Sequence, residues 1–262
     1  MDLGLTGDTV LLTASTRGLG LASARAFARA GANVAVCGST ADSVDAARDT
    51  LEAEAAGNSV LATQTDITDP EALDAFIAAT AERFDGIDHV VTSAGGVPSG
   101  AFLAMDRTDW QAAYELLVLS HVQTVTTAAP HLEASDAGTI TAITSTTVRE
   151  PIDGLVLSNA VRRAVIGSIK TVAREFAPDV RANAVLPGPF ETGRIESLIE
   201  QAIERGEYES YDAGRTDWAE DVPLDRIGDP QELGDVVAFL ASDRAGFVTG
   251  TAVPVDGGRL RS

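Results

Sequence analysis

Lysine is nearly missing from this 262-residue chain: Lys170 stands beside 18 arginines, against 39 acidic residues, for a net charge of −20. A surface that acidic excludes nucleic acid as a partner, because it repels the phosphate backbone. Excess acid with almost no lysine is the pattern expected of a protein kept hydrated in concentrated salt, where the Debye length shrinks to about 3 Å and self-repulsion is screened. A halophilic source is therefore expected, with an unusually acidic mesophilic enzyme as the plain alternative.

Cysteine is as scarce. Cys37 is the only one, which excludes an internal disulfide and a cysteine-based metal cluster; it lies in an apolar run and is expected to pack there. No His/Asp/Glu spacing argues for a metal, so none is expected. No apolar run approaches the roughly 18 residues of a spanning helix, and the start "MDLGLTGDTVLL" lacks the basic opening of a signal peptide. A soluble, cytoplasmic protein without a membrane partner is expected. Linker-like stretches and internal repeats are absent too, so residues 1–262 read as one domain.

What is present is an alternation of short apolar runs with helical patterns. "TVLLT" (9–13), "NVAVC" (33–37), "SVLAT" (59–63), "DHVVTS" (88–93), "TITAIT" (139–144) and "VRANAV" (180–185) read as buried strands. Between them lie alanine-rich segments with apolar spacings of three and four, such as "PEALDAFIAATAERF" from Pro70 to Phe84. Continuous apolar strands separated by helices imply an α/β fold: a doubly wound, Rossmann-like parallel sheet with helices on both faces. In such a sheet ligands bind beyond the carboxyl ends of the strands.

The first such end is "TASTRGLGLASARAFARAGA", from Thr13 into a helix through about Ala30. Gly18 and Gly20 allow close backbone approach, and a helix N-terminus offers free amides to a pyrophosphate. With a strand before and "GAN" leading to a second strand, the segment points to dinucleotide binding rather than a plain turn.

Several separated motifs resemble the short-chain dehydrogenase/reductase family over nearly the whole chain. The family's T-G-x-x-x-G-x-G stands here as Thr13, Ala14, Gly18 and Gly20, with alanine for the first glycine and a looser turn expected; Ser15, Arg17 and Leu19 lie within it. "TDITDP" supplies Asp66, whose counterpart bonds the adenine, and Ile67, which would pack on the ring. The family's N-N-A-G appears as Thr92, Ser93, Ala94 and Gly95, and "NAVLPGPFET" matches its N-x-x-x-P-G-x-x-x-T, placing Pro187, Gly188 and Thr192 along the nicotinamide. "VDGG" (255–258) completes the pattern. The resemblance also implies a homotetramer or homodimer through two long helices, here about Asp106 to Leu132 and Leu155 to Ala177.

The second strand ends in "CGST". No acid is there to accept hydrogen bonds from the ribose of NAD and repel a 2′-phosphate. Gly38, Ser39 and Thr40 offer small groups and hydroxyls, and Arg17 lies where NADP-preferring members carry a basic residue whose fork suits a phosphate. The expected cofactor is NADP(H) rather than NAD(H).

The resemblance fails at the active site, where the family aligns Asn, Ser, Tyr and Lys. "LSNAVRRAVIGSIK" (157–170) puts Ser158 at the tyrosine and Arg162 at the lysine, Leu117 replaces the asparagine, and only Ser145 is retained. Tyr114 is expected in core packing, and Tyr208 and Tyr211 lie in a polar insertion, Gly193 to Pro223, at the place of the family's substrate lid. A serine is a poor proton donor and an arginine stays protonated, but arginine holds anions. Ser145, Ser158 and Arg162 are therefore the candidate catalytic residues, with Arg149 and Arg194 binding a substrate carboxylate or phosphate and Arg162 gripping the ribose and stabilising developing charge. Arg163 is expected in solvent or at a subunit interface, and His121 as a buried, hydrogen-bonded histidine or an acid/base group. The leading reading is a divergent oxidoreductase acting on a small hydroxy or keto compound, an anionic one included; a dehalogenase-like non-redox enzyme and an inactive nucleotide-binding regulator are the alternatives.

Overall fold

The computed structural model describes residues 2–55 and 57–261; the outermost residues of the expected domain, Met1 and Ser262, lie outside them. Among the described residues the chain builds β1 (Thr9–Leu12), β2 (Asn33–Gly38), β3 (Val60–Gln64), β4 (His89–Thr92), β5 (Thr139–Ile143), β6 (Arg181–Pro187) and β7 (Ala252–Val255). They form one parallel sheet in the order β3-β2-β1-β4-β5-β6-β7. The chain winds outward from β1 to β3, then returns to place β4 on the other side of β1. The loops after β1 and β4 therefore diverge, and a crevice opens between them.

Helices α1 (Gly18–Arg29), α2 (Ala41–Glu54), α3 (Pro70–Phe84), α4 (Arg107–Tyr114), α5 (Ser120–Ala134), α6 (Val156–Glu175), α7 (Gly193–Glu204), α8 (Tyr211–Glu220) and α9 (Pro230–Ala241) complete the fold. Strand periodicity sorts the core into two halves. Val10, Leu12, Val34 and Val36 pack with Phe27 of α1, Leu51 of α2 and Val237 of α9, whereas Leu11, Ala35 and Cys37 pack on the side of α3, α5 and α6. Burying each such Leu, Val or Phe side chain contributes roughly 1.5–3 kcal/mol. Cys37 is buried there as expected.

The acidic residues also shape local structure. Asp69 caps α3 ahead of Pro70, and Asp106 and Asp229 form capping boxes with Asp109 and Glu232 at the starts of α4 and α9. Each such cap is worth about 1 kcal/mol. The expected long helix from Asp106 is α4 and α5 joined by a π-helical turn, Glu115–Leu119, which carries Leu117 into the core. β7 was not among the strands read from sequence. It is one of the two edge strands, only partly buried, and tolerates Pro254 because a strand edge needs no amide there. α7 and α8, from the polar insertion, pack on each other around Ile195 and Ile199.

One strand residue locks the last helix. Arg181 of β6 donates to the carbonyls of Leu240, Ala241, Ser242 and Val248, satisfying the open C-terminus of α9 and the loop beyond it. Arg181→Met removes these bonds and leaves the Leu240 and Ala241 carbonyls without their side-chain donor, while Ser242 keeps the Ala245 amide and Val248 keeps Asn183. A loss of about 2–4 kcal/mol in urea unfolding is expected, and a loss below about 1 kcal/mol would contradict the capping role.

Candidate dinucleotide and substrate site

The loop after β1 is fixed by hydroxyls. Thr13 donates from Oγ1 to the Ser93 carbonyl at 2.9 Å and accepts the Ser93 amide at 3.0 Å, tying the loop after β1 to the loop after β4. Ser15 is buried, its amide bonding the Cys37 carbonyl and its hydroxyl the Thr13 carbonyl. A Cβ at Gly20 would come within 2.8 Å of the Ser15 Cα, so glycine is required there. Instead of the looser turn expected from Ala14, this residue takes a φ of 46°, the left-handed conformation of a glycine. α1 then begins with no side-chain cap and no acid in its first turn, which leaves the amides of Gly18, Leu19 and Gly20 for an anion.

At the end of β2, Arg17 donates to Thr40 Oγ1 at 3.1 Å, and Thr40 in turn donates to Ser43. Ser39 is exposed next to them and its carbonyl accepts from Gln64. Asp66 lies exposed after β3; its Oδ1 accepts from the Thr68 amide and hydroxyl, which lower its pKa. Ile67, beside it, is 6% exposed and packs into the core with Leu73 and Phe76.

Across the crevice, Ser93, Ala94 and Gly95 form the start of the loop after β4, and Pro187 ends β6. A Cβ at Gly188 would lie 2.8 Å from the Asp256 Cα, so the turn "VDGG" and this glycine need each other. Thr192 starts α7 with its methyl 3.6 Å from where a Gly18 Cβ would stand. Glycine at 18 thus keeps open the gap between the α1 start and the α7 start.

On α6, Ser158 and Arg162 lie one turn apart. Ser158 is buried with Oγ 3.1 Å from Thr147 Oγ1, and the Thr147 amide donates to Ser145 Oγ at 3.2 Å, so Thr147 links the two serines. Arg162, half-buried, donates to the Gly95 carbonyl at 3.4 Å; its pKa is pushed down to about 10, first by burial and then by the charge of Arg194. Arg194 donates to the Val97 carbonyl at 3.0 Å and is also lowered by burial. Arg162 and Arg194 thus meet over one loop. Arg149 does not join them: it is exposed and donates to the Ala252 carbonyl on β7. Arg163 is exposed as expected.

The tyrosines take other places. Tyr114 is 48% exposed, not packed in the core as expected, and Tyr208 donates to Asp217, its pKa pushed up to about 12 by burial and by that carboxylate. His121 is buried between Thr92 Oγ1, 2.9 Å from Nδ1, and Ser168 Oγ, 3.1 Å from Nε2, and burial lowers its pKa to about 4. The links made by Thr147, Thr40, Thr92 and Ser168 were not read from sequence, since nothing in local spacing marks such long-range pairs.

Two outcomes follow from this geometry. Relieving the left-handed alanine by Ala14→Gly removes about 1–2 kcal/mol of strain against about 0.4–1 kcal/mol of added chain entropy; unfolding should show stability unchanged or raised by up to about 1.5 kcal/mol. Because folded His121 titrates near 4, below its ordinary 6.5, it binds fewer protons than the unfolded chain between these values. Its contribution is complete above about pH 6.5 and is lost as pH falls toward 4. His121→Gln, which can bridge both hydroxyls uncharged, should flatten the stability loss in that window, read by urea melts at fixed salt; an identical profile would refute the assignment.

Residues 13–259 match the family model described as "Enoyl-(Acyl carrier protein) reductase". The chain is 32% identical over 97% of its length to the oxidoreductase UcpA of Salmonella typhi, of which 95% is covered. L-sorbose reductase from Gluconobacter frateurii, solved with NADPH and L-sorbose, superposes with a TM-score of 0.93 at 29% identity, with 100% of both chains covered. An NADPH-bound short-chain oxidoreductase from Pseudomonas aeruginosa, described as containing an atypical catalytic center, gives a TM-score of 0.90 at 27% identity over 98% of each chain. With its parallel sheet, its uncapped glycine loop and a family match over almost its whole length, this chain belongs to the short-chain dehydrogenase/reductase family of oxidoreductases.

Proposed function

We propose that the protein is an NADP(H)-dependent dehydrogenase or reductase with an atypical active site, acting on a small hydroxy or keto compound. The observation that carries the cofactor choice is the Arg17–Thr40 contact at the end of β2, where a guanidinium and hydroxyls stand and no carboxylate does. A 2′-phosphate there would accept charge-assisted bonds from Arg17. The gap kept by Gly18 opposite Thr192 and the uncapped start of α1 fit the rest of a dinucleotide. NADPH in two solved relatives supports the same reading.

Bound nicotinamide supplies or accepts a hydride. The chain's own residues do the rest. Ser145 and Ser158, coupled through Thr147, orient the substrate oxygen. Arg162 opposes the negative charge that builds on that oxygen as hydride adds, and also reaches the ribose side. A serine is too weak an acid to deliver the proton alone, so water relays it. The relatives being oxidoreductases favours this over the non-redox and regulatory readings. We read α7 and α8 as a substrate lid, and the exposed Tyr114, Leu119 and Val122 along α4 and α5 as part of a homo-oligomer contact.

Titration with NADPH and with NADH in molar KCl, followed by nicotinamide fluorescence, tests the reading. NADPH should bind more tightly, and Arg17→Gln should weaken it at least about tenfold while leaving NADH nearly unchanged. Equal affinities, or binding of neither, would overturn it.

A further inference from the structure

Burial lowers the pKa of three arginines among the described residues: Arg181, Arg162 and Arg194. Arg181 has four carbonyl partners. The other two each have one bond, to Val97 at 3.0 Å and to Gly95 at 3.4 Å. A guanidinium carries five N–H donors, so most donors on this pair have no protein acceptor. Every ion pair among the described residues lies elsewhere, in a chain with 39 acidic residues.

The two guanidiniums are also held where they repel. Arg194 contributes to lowering Arg162, and its side chain lies against Gly96, where a Cβ would come within 3.1 Å of its Cδ, Cζ and Nε. Gln201, also on α7, accepts from Ser99 at 2.7 Å, which fixes α7 and hence Arg194 against the same loop. Facing, half-buried like charges with spare donors are a cost that a bound anion removes. Arg162 also lines a small cleft with Ser93, Ala94 and Leu117, which opens its guanidinium to a ligand on the side of the loop after β4.

We propose that Arg162 and Arg194 together bind the carboxylate of a small 2-oxo or 2-hydroxy acid. Such an acid presents a carboxylate oxygen and the reacting oxygen on one edge, so one ligand spans both guanidiniums and sets the reacting carbon over the Ser145–Ser158 pair. The phosphates of a dinucleotide have their own donors at the uncapped α1 start and Arg17. This inference names the substrate class for the oxidoreductase reading and rests on it.

The test is calorimetric titration, with and without NADPH, using 2-oxo acids of three to six carbons and the matching uncharged amides. At least one acid should bind at least tenfold tighter than its amide. Arg194→Gln, which keeps a donor for Val97, should remove that preference. Arg162→Lys should weaken it less, and Arg149→Gln should leave it unchanged; thermal melts check that each variant is folded. The inference is overturned if no acid in the series outbinds its amide, if Arg194→Gln changes nothing, or if NADPH displaces the acid, which would make the pair a cofactor phosphate site. A protein that binds an oxo acid through Arg194 and yet binds no NADPH would keep this inference and lose the oxidoreductase reading.

Discussion

The Thr13 hydroxyl sits where the sheet changes direction, donating to the Ser93 carbonyl and accepting the Ser93 amide. A parallel sheet that winds both ways from β1 must let two loops part at this point. Left free, their backbone groups would need solvent or each other. One buried threonine satisfies both and sets the width of the crevice. The rest of the site takes its positions from that width: Ala14 is held at a positive φ just after it, α1 starts four residues on, and the loop after Ser93 runs out beneath Arg162 and Arg194.

Charge is distributed with the same economy. Acidic residues occupy the first turns of α2, α3, α4, α7, α8 and α9, where the helix dipole favours them, but not those of α1, α5 and α6. In concentrated salt the long-range field of −20 charges is screened away within a few Å. Recognition of an anion then depends on directed hydrogen bonds. A planar guanidinium supplies these better than an ammonium, which is consistent with a chain that keeps arginine and has almost no lysine.

The strands were legible because burial on both sides of a parallel sheet leaves unbroken apolar runs, and six of these were read within a residue or two of where they lie. β7 escaped because an edge strand with Pro254 and three half-buried positions carries no such run. The π-turn at Leu117 changes no periodicity that can be read in five residues. Side-chain direction was the least legible. Arg149, Arg162 and Arg194 look alike in sequence, yet Arg149 is drawn to the last strand and the other two to the loop after β4. Those choices depend on carbonyls 67 to 103 residues away, beyond any local pattern.

The titration behaviour of His121 and Arg162 follows from their burial. His121 is buried and neutral across the physiological range because its pKa lies near 4, and Arg162 stays charged there although its pKa is lowered to about 10. Neither group changes state near neutrality. A tyrosine and lysine at 158 and 162 would make the charge of the site depend on which of them held the proton. With serine and arginine there, the charge of Arg162 does not change across that range.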